Sequence, residues 1–223
     1  MLTRRDVLKH AMLFAASGID TRERSTMTSL ANTFMNRYAV PALSIAIAVN
    51  GEVVYADAFG MADRENGERA TPSHLFRIAS VSKPITSCAI FDLIEQGRLS
   101  LQSRVFGRGA VLGAEYGKLP YNRYLEDITI EHLLTHTVGT WGNDGSDPMF
   151  RHPGMNQNEL IAATLDTRLP TTPPGRVFTY SNFGYCVLGR VIEIVTGTPY
   201  EEHVRRRILS RCGVSDMIIG ANA

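Results

Sequence analysis

Phe76-Arg77-Ile78-Ala79-Ser80-Val81-Ser82-Lys83-Pro84-Ile85-Thr86 is the stretch on which the reading of this chain turns. An apolar segment leads into it and a helical pattern leads out. Ser80 falls at or just before the first turn of that helix, and Lys83, three residues on, shares its face. A serine hydroxyl is a poor nucleophile until a base takes its proton. A lysine can be that base where burial disfavours its ammonium form. The helix start adds N–H groups and a partial positive charge where an oxyanion would form. S-x-x-K is a short pattern, and a serine near a helix start followed by a solvated lysine has the same spelling. The residues beyond it weigh against that plainer reading. Over 85–96, Ile85, Cys88, Ala89, Ile90, Phe91, Leu93 and Ile94 make the helix apolar almost all round, so a buried central helix is expected. Gly97 offers it a left-handed stop.

A second motif stands far downstream. In Tyr180-Ser181-Asn182 the first and third side chains project to the same side of an extended loop. A tyrosine hydroxyl beside a lysine can relay protons, and an asparagine offers both a donor and an acceptor to a substrate amide or ester. The plainer alternative is a loop tyrosine packed on the core and an asparagine capping the helix that starts at Phe183. That helix is expected over 183–196, with Val187, Leu188, Val191, Ile192 and Val195 as its buried stripe and Gly197 as its end.

Taken together, Ser80-x-x-Lys83 and Tyr180-x-Asn182 resemble the first two motifs of the serine β-lactamase and penicillin-binding-protein superfamily. The nearer match is its class C β-lactamase-related branch, which includes esterases and D-amino-acid peptidases. Leu133-Leu134-Thr135-His136-Thr137-Val138-Gly139 is similar to that branch's segment between the motifs, and Gly97-Arg98-Leu99-Ser100-Leu101 and Pro174-Gly175 fall where similar proteins carry them. The resemblance spans about 28–220. It implies an α/β (α+β), β-lactamase-like fold. It also implies that Ser80 is acylated, that Lys83 and Tyr180 share the acid and base work, and that Asn182, with the Ser80 N–H, positions the substrate carbonyl. The implied reaction is attack on an ester, amide or β-lactam bond through an acyl-enzyme, with no cofactor and no metal.

The family's third motif, Lys or His, then Ser or Thr, then Gly, is not found in the 223 residues. Residues 26–223 are therefore expected to form an incomplete serine hydrolase domain: the N-terminal hairpin of the main sheet and a mostly helical region, with the later strands missing. A lone hairpin is marginal, so self-association or a complementing chain would complete the sheet. Impaired turnover is expected, and the alternative is a non-catalytic fragment or scaffold that binds without turnover. A metal hydrolase is the other rival. His132 and His136 stand at i and i+4, but Leu133 occupies the place of the glutamate in H-E-x-x-H.

Composition narrows the partners. A net charge of +1 offers no field for nucleic acid, and no stretch has the length of a membrane span. The resemblance implies small esters, lactams or peptides as substrates. Cys88, Cys186 and Cys212 lack metal-like spacing, and the first two are expected to be buried thiols. Thr3-Arg4-Arg5-Asp6-Val7-Leu8-Lys9 with the apolar run at 11–16 resembles a twin-arginine export signal, which makes 1–25 a signal or disordered N-terminus and the protein periplasmic or secreted. An ordinary amphipathic helix there would leave it cytoplasmic.

The rest of the chain reads in order. A helix is expected over 28–38, then a strand over 42–49 with Leu43, Ile45, Ile47 and Val49 on one face. Its other face, Ser44, Ala46 and Ala48, is small enough for a helix to pack closely. Asn50-Gly51 is a hairpin turn and 52–59 the returning strand. Residues 98–121 read as loop, 128–136 as a helix capped by Thr129, 139–154 as a surface loop, and 158–165 as a short helix. Thr198-Pro199-Tyr200-Glu201 reads as a capping box that opens a last helix, whose Arg205, Arg206 and Arg207 form a solvated basic face. His74, His152 and His203 read as surface or packing residues.

Overall fold

The structure, a computed structural model, describes residues 20–219. The stretch at 3–16 that resembles an export signal lies outside the described residues. The chain divides into two compact units, Met1–Phe76 and Arg77–Ala223.

In the first unit, helix α1 (Thr21–Tyr38) starts well before residue 28. Asp20 causes this. Its carboxylate accepts from the Glu23 N–H at 2.8 Å and the Glu23 carboxylate accepts from the Asp20 N–H at 2.9 Å, a complete capping box. Strands β1 (Ala42–Val49) and β2 (Glu52–Asp63) form the expected hairpin, with Asn50 and Gly51 at φ 53° and 85° in its turn. A short β3 (Glu68–Arg69) pairs with the end of β2 in the order β1-β2-β3. Gly60 cannot be replaced: its φ is +83°, and a Cβ would stand 2.2 Å from the Pro41 carbonyl oxygen.

The hairpin's helix sits on the opposite face from the one expected. Leu43 and Ile45 join Met27, Leu30, Ala31 and Phe34 in lining an open apolar groove of about 280 Å³, and the small residues Ser44, Ala46 and Ala48 are exposed. Burying branched aliphatic surface outweighs the closer approach that small residues would allow.

The second unit is mostly helical. A 3₁₀ turn (Ala79–Val81) leads into α2 (Ser82–Glu95). There follow α3 (Arg123–Glu126), α4 (Ile130–Leu134), α5 (Pro148–Arg151), α6 (Gln157–Thr167), α7 (Asn182–Thr196) and α8 (Tyr200–Arg207). Helix α7 is the hub. It packs against α2, α4, α5, α6 and α8, and it buries Phe183, Val187, Leu188, Val191 and Ile192.

Helix α2 is therefore not the buried central helix read from its composition. Thr86, Ala89, Ile90, Asp92 and Leu93 face inward, whereas Phe91 is 47% exposed and Cys88 is exposed. A polar residue takes an inward place because partners reach it: Arg207 and Arg211 approach the Asp92 carboxylate at 3.3 and 3.4 Å. Arg207 thus leaves the solvated cluster assigned to it. Cys186 is half-buried, and burial pushes its thiol pKa up to about 11.

Residues 139–154 lie mostly at the surface, as expected, but the segment is pinned at Trp141 and carries the short helix α5. Trp141 is fully buried, its indole N–H donates to the Arg168 carbonyl at 2.8 Å, and its ring meets Phe106 and Phe183 edge-on. That anchor pulls the segment inward. Asp147, 1% exposed, then caps α5 by accepting from the Met149 N–H at 2.9 Å. Residues 98–121 are irregular as expected, yet Val105, Phe106 and Leu112 belong to the core. The capping box at Thr198 does not form. Pro199 is the N-cap of α8, without a side-chain bond, and the Tyr200 N–H donates instead to the Glu193 carboxylate at 3.0 Å. Among the described residues no helix is long and apolar enough to cross a membrane.

Candidate active site

The four residues singled out from sequence meet at one place in the second unit. Ser80 is the middle residue of the 3₁₀ turn, and Ala79 before it has φ +45°. A non-glycine residue in that region stores strain, which the surrounding turn must hold. Lys83 lies in the first turn of α2. Its Nζ donates to Ser80 Oγ at 3.2 Å and to Asn182 Oδ1 at 2.6 Å. The same ammonium lies 4.7 Å from the centre of the Tyr180 ring and 5.6 Å from that of Tyr185.

The Tyr180 hydroxyl is held below the ordinary phenol range. Its hydrogen bond with Lys83 contributes most, then that with Ser80; partial burial opposes them, and the Lys83 charge adds to the lowering.

Tyr180 is clamped from behind by His136. The two ring centres are 4.4 Å apart, and His136 also stacks on Tyr185 at 5.1 Å and meets Phe178 edge-on at 6.0 Å. The Ser181 N–H donates to His136 Nδ1 at 3.1 Å, and the Thr179 N–H donates to the His136 carbonyl at 2.7 Å. An imidazole that accepts at Nδ1 is neutral with its proton on Nε2. Burial, then the Lys83 charge, lowers its pKa in agreement. Tyr185 closes the cluster: its hydroxyl donates to the Leu134 carbonyl at 3.1 Å and shares a hydrogen bond of the same length with the Ser87 hydroxyl.

The cap of α7 is Ser181, whose hydroxyl accepts from the Gly184 N–H at 2.9 Å. Asn182 is thus freed from the capping role of the plainer reading. Its Oδ1 faces Lys83, and its Nδ2 donates to Asn143 Oδ1 at 3.1 Å and to Asp147 Oδ2 at 2.8 Å. Asn143 also ties in Tyr180, donating its N–H to the Tyr180 carbonyl at 2.8 Å.

His132 and His136 do not share a helix face. Helix α4 ends at Leu134, and His136 lies beyond it at φ 59°. His132 Nδ1 accepts from the Thr129 N–H at 3.2 Å in a capping box. Among the described residues no group of three or more His, Cys, Asp or Glu side chains converges as metal ligands would.

His136, Asn143, Asp147 and Tyr185 belong to the site and were not read as such from sequence. His136 stands in the segment at 133–139 that carries part of the resemblance, which is the one signal that could point to it. Asn143 and Asp147 sit in a stretch rich in Gly, Asp and Pro, where nothing local marks them.

A hydroxyl, an amine and a lowered phenol in one hydrogen-bonded cluster are groups that nucleophilic acyl chemistry can use. The chain belongs to the Beta-lactamase family, whose pattern its residues 27–223 match. It is 32% identical over 165 residues to Protein flp of Staphylococcus aureus (strain MW2), covering 74% of this chain and 32% of that protein. It is 32% identical over 202 residues to Esterase EstB of Burkholderia gladioli, covering 81% and 47%. The octameric penicillin-binding protein homologue from Pyrococcus abyssi superposes with a TM-score of 0.69 at 32% identity, over 86% of this chain and 43% of that one. The chain thus spans 32% to 47% of the length of these relatives.

Proposed function

We propose that this site performs serine acyl transfer on a small ester, amide or β-lactam. Ser80 Oγ attacks the carbonyl carbon as its proton passes into the Lys83–Tyr180 pair. The tetrahedral intermediate collapses, the leaving group takes that proton, and acyl-Ser80 remains for water to hydrolyse. The Ser80 N–H serves the developing oxyanion. Asn182 holds Lys83, and it reaches substrate only by releasing Asn143, because both Nδ2 protons are engaged. The observation that carries this reading is the ammonium of Lys83 bridging Ser80 Oγ and Asn182 Oδ1, groups that lie 102 positions apart in the chain.

An ester is the first substrate to try, since a similar protein bears the name esterase. The test is incubation with a fluorophosphonate and a penicillin, followed by peptide mass mapping, with Ser80→Ala as control. An adduct confined to Ser80 is expected. A folded protein that takes no label at Ser80 overturns the reading in favour of a scaffold. Turnover of a p-nitrophenyl ester and of nitrocefin is read separately, because impaired turnover concerns deacylation and oxyanion support, not the nucleophile alone. Self-association is part of the proposal, and light scattering tests it. Export through the segment at 3–16 is likewise proposed, and a reporter fused behind residue 25 decides it.

A further inference from the structure

We infer that Asp147 is a positioning residue: its buried carboxyl group fixes which way the Asn182 carboxamide faces, and so holds Lys83 beside Ser80. The two ends of a carboxamide have nearly the same shape, so only its partners decide its orientation. Flipped, Asn182 would set its NH₂ group 2.6 Å from the Lys83 ammonium, donor against donor. Something must forbid that state.

Two groups stand on the far side of Asn182. Asn143 Oδ1 accepts at 3.1 Å, but Asn143 is itself a carboxamide and could turn to present its own donors. Asp147 cannot, because an ionised carboxyl group only accepts. It lies 2.8 Å from Asn182 Nδ2 and is 1% exposed, so water does not compete for it. Its other oxygen is fixed by the Met149 N–H at the start of α5. Both oxygens thus have set partners, and the carboxyl plane cannot rotate freely. From Lys83 through Asn182 each link runs donor to acceptor toward Asp147, and the Met149 N–H donates to Asp147 from the other side, so the carboxyl group is the acceptor on which both ends close.

The structural part of this inference is independent of catalysis; its kinetic part rests on Ser80 being the nucleophile. Asp147→Asn is the discriminating variant. Asparagine caps helices about as well as aspartate, so α5 is retained, but the obligatory acceptor is lost. Two readouts follow. Exchange of the Asn182 side-chain amide protons, followed by NMR, is expected to quicken by about 10- to 100-fold, the scale of one hydrogen bond to a charged group. The rate of fluorophosphonate labelling at Ser80 is expected to fall by a similar factor. In an Asn182→Ala background the same substitution should change labelling no further, because the route to Lys83 is already cut.

Unchanged exchange in Asp147→Asn overturns the inference. So does an equal fall in labelling with and without Asn182, which would mean that Asp147 acts only by supporting the loop. If the parent chain takes no label, the acyl-transfer reading fails on its own, and the exchange measurement still decides Asp147. Asp147→Ser, also a good cap but too short to hold both bonds, replaces the variant if Asp147→Asn does not fold.

Discussion

Residues 20–76 and residues 77–219 use similar apolar side chains to different ends. In the first region Ala31, Tyr55 and Ala70 are the buried apolar residues, and Leu30, Phe34 and Val53 stand 42%, 47% and 67% exposed. In the second, 24 buried apolar residues form one continuous cluster, centred on α7. A hairpin with one helix covers one face and leaves the other open. A helix packed on several sides by other helices loses little surface to water. The candidate site lies in the region where packing converges. Asn182 opens the hub helix, Lys83 opens α2, His136 follows α4, and Asp147 opens α5. Groups that must be held within tenths of an ångström are carried on element starts whose bodies are locked in a core.

The largest test of this contrast is catalytic. Tyr180→Phe should slow labelling of Ser80 by about 10²- to 10⁴-fold, the usual share of a proton-transfer group. Val53→Ser, at an exposed place on β2, should leave the rate unchanged; an equal loss from both would break the division between the regions. The pH profile sharpens it. Because hydrogen bonds with Lys83 and Ser80 lower the Tyr180 pKa, labelling should rise with pH through a midpoint below the ordinary phenol value of about 10. Tyr180→Phe should lose that limb.

Stability comes next. Ile192→Ala, at a fully buried position of α7, should cost about 2–5 kcal/mol in denaturant unfolding. Leu30→Ala, on the half-open groove of α1, should cost less than about 1 kcal/mol. Similar costs would show that the hairpin region is better packed than its exposure indicates.

The smallest effect is titration. Burial lowers the pKa of His132, His136 and His203, all in the second region. Below the unfolded value of about 6.5 the unfolded chain takes up protons that the folded one refuses, so stability should fall as pH falls through that value toward the depressed ones. Trp141, the single tryptophan, is buried in the same region, and its fluorescence reports this loss directly. A melting temperature flat from pH 7 to pH 5 would contradict it.

Much of this architecture was legible residue by residue. Asn50-Gly51 named its own turn, because few residue pairs tolerate two positive φ values. The stripe of α7 announced itself by period, and Gly197 by its φ of 69° ended it. Ser80, Lys83, Tyr180 and Asn182 were found by spelling, and the resemblance brought them together before any coordinate did. The misreadings share a cause. Composition showed α2 as apolar all round, but exposure is set by what arrives from elsewhere, here Arg207 and Arg211 at Asp92. The stretch at 139–154 is mostly surface, as its Gly, Asp and Pro content indicates, but that content did not show that Trp141 and Asp147 turn inward.

Local chemistry dictates what a short segment can decide alone: turns, caps, helical stripes and the placing of a hydroxyl beside an amine. It is silent on which Asp meets which Asn. The partners that orient Asn182 lie 39 and 35 positions away in sequence, and the imidazole that backs Tyr180 lies in another loop. Such contacts exist only once a core has drawn distant segments together. Their bonds then gain strength from the exclusion of water, a condition no single stretch of chain can supply.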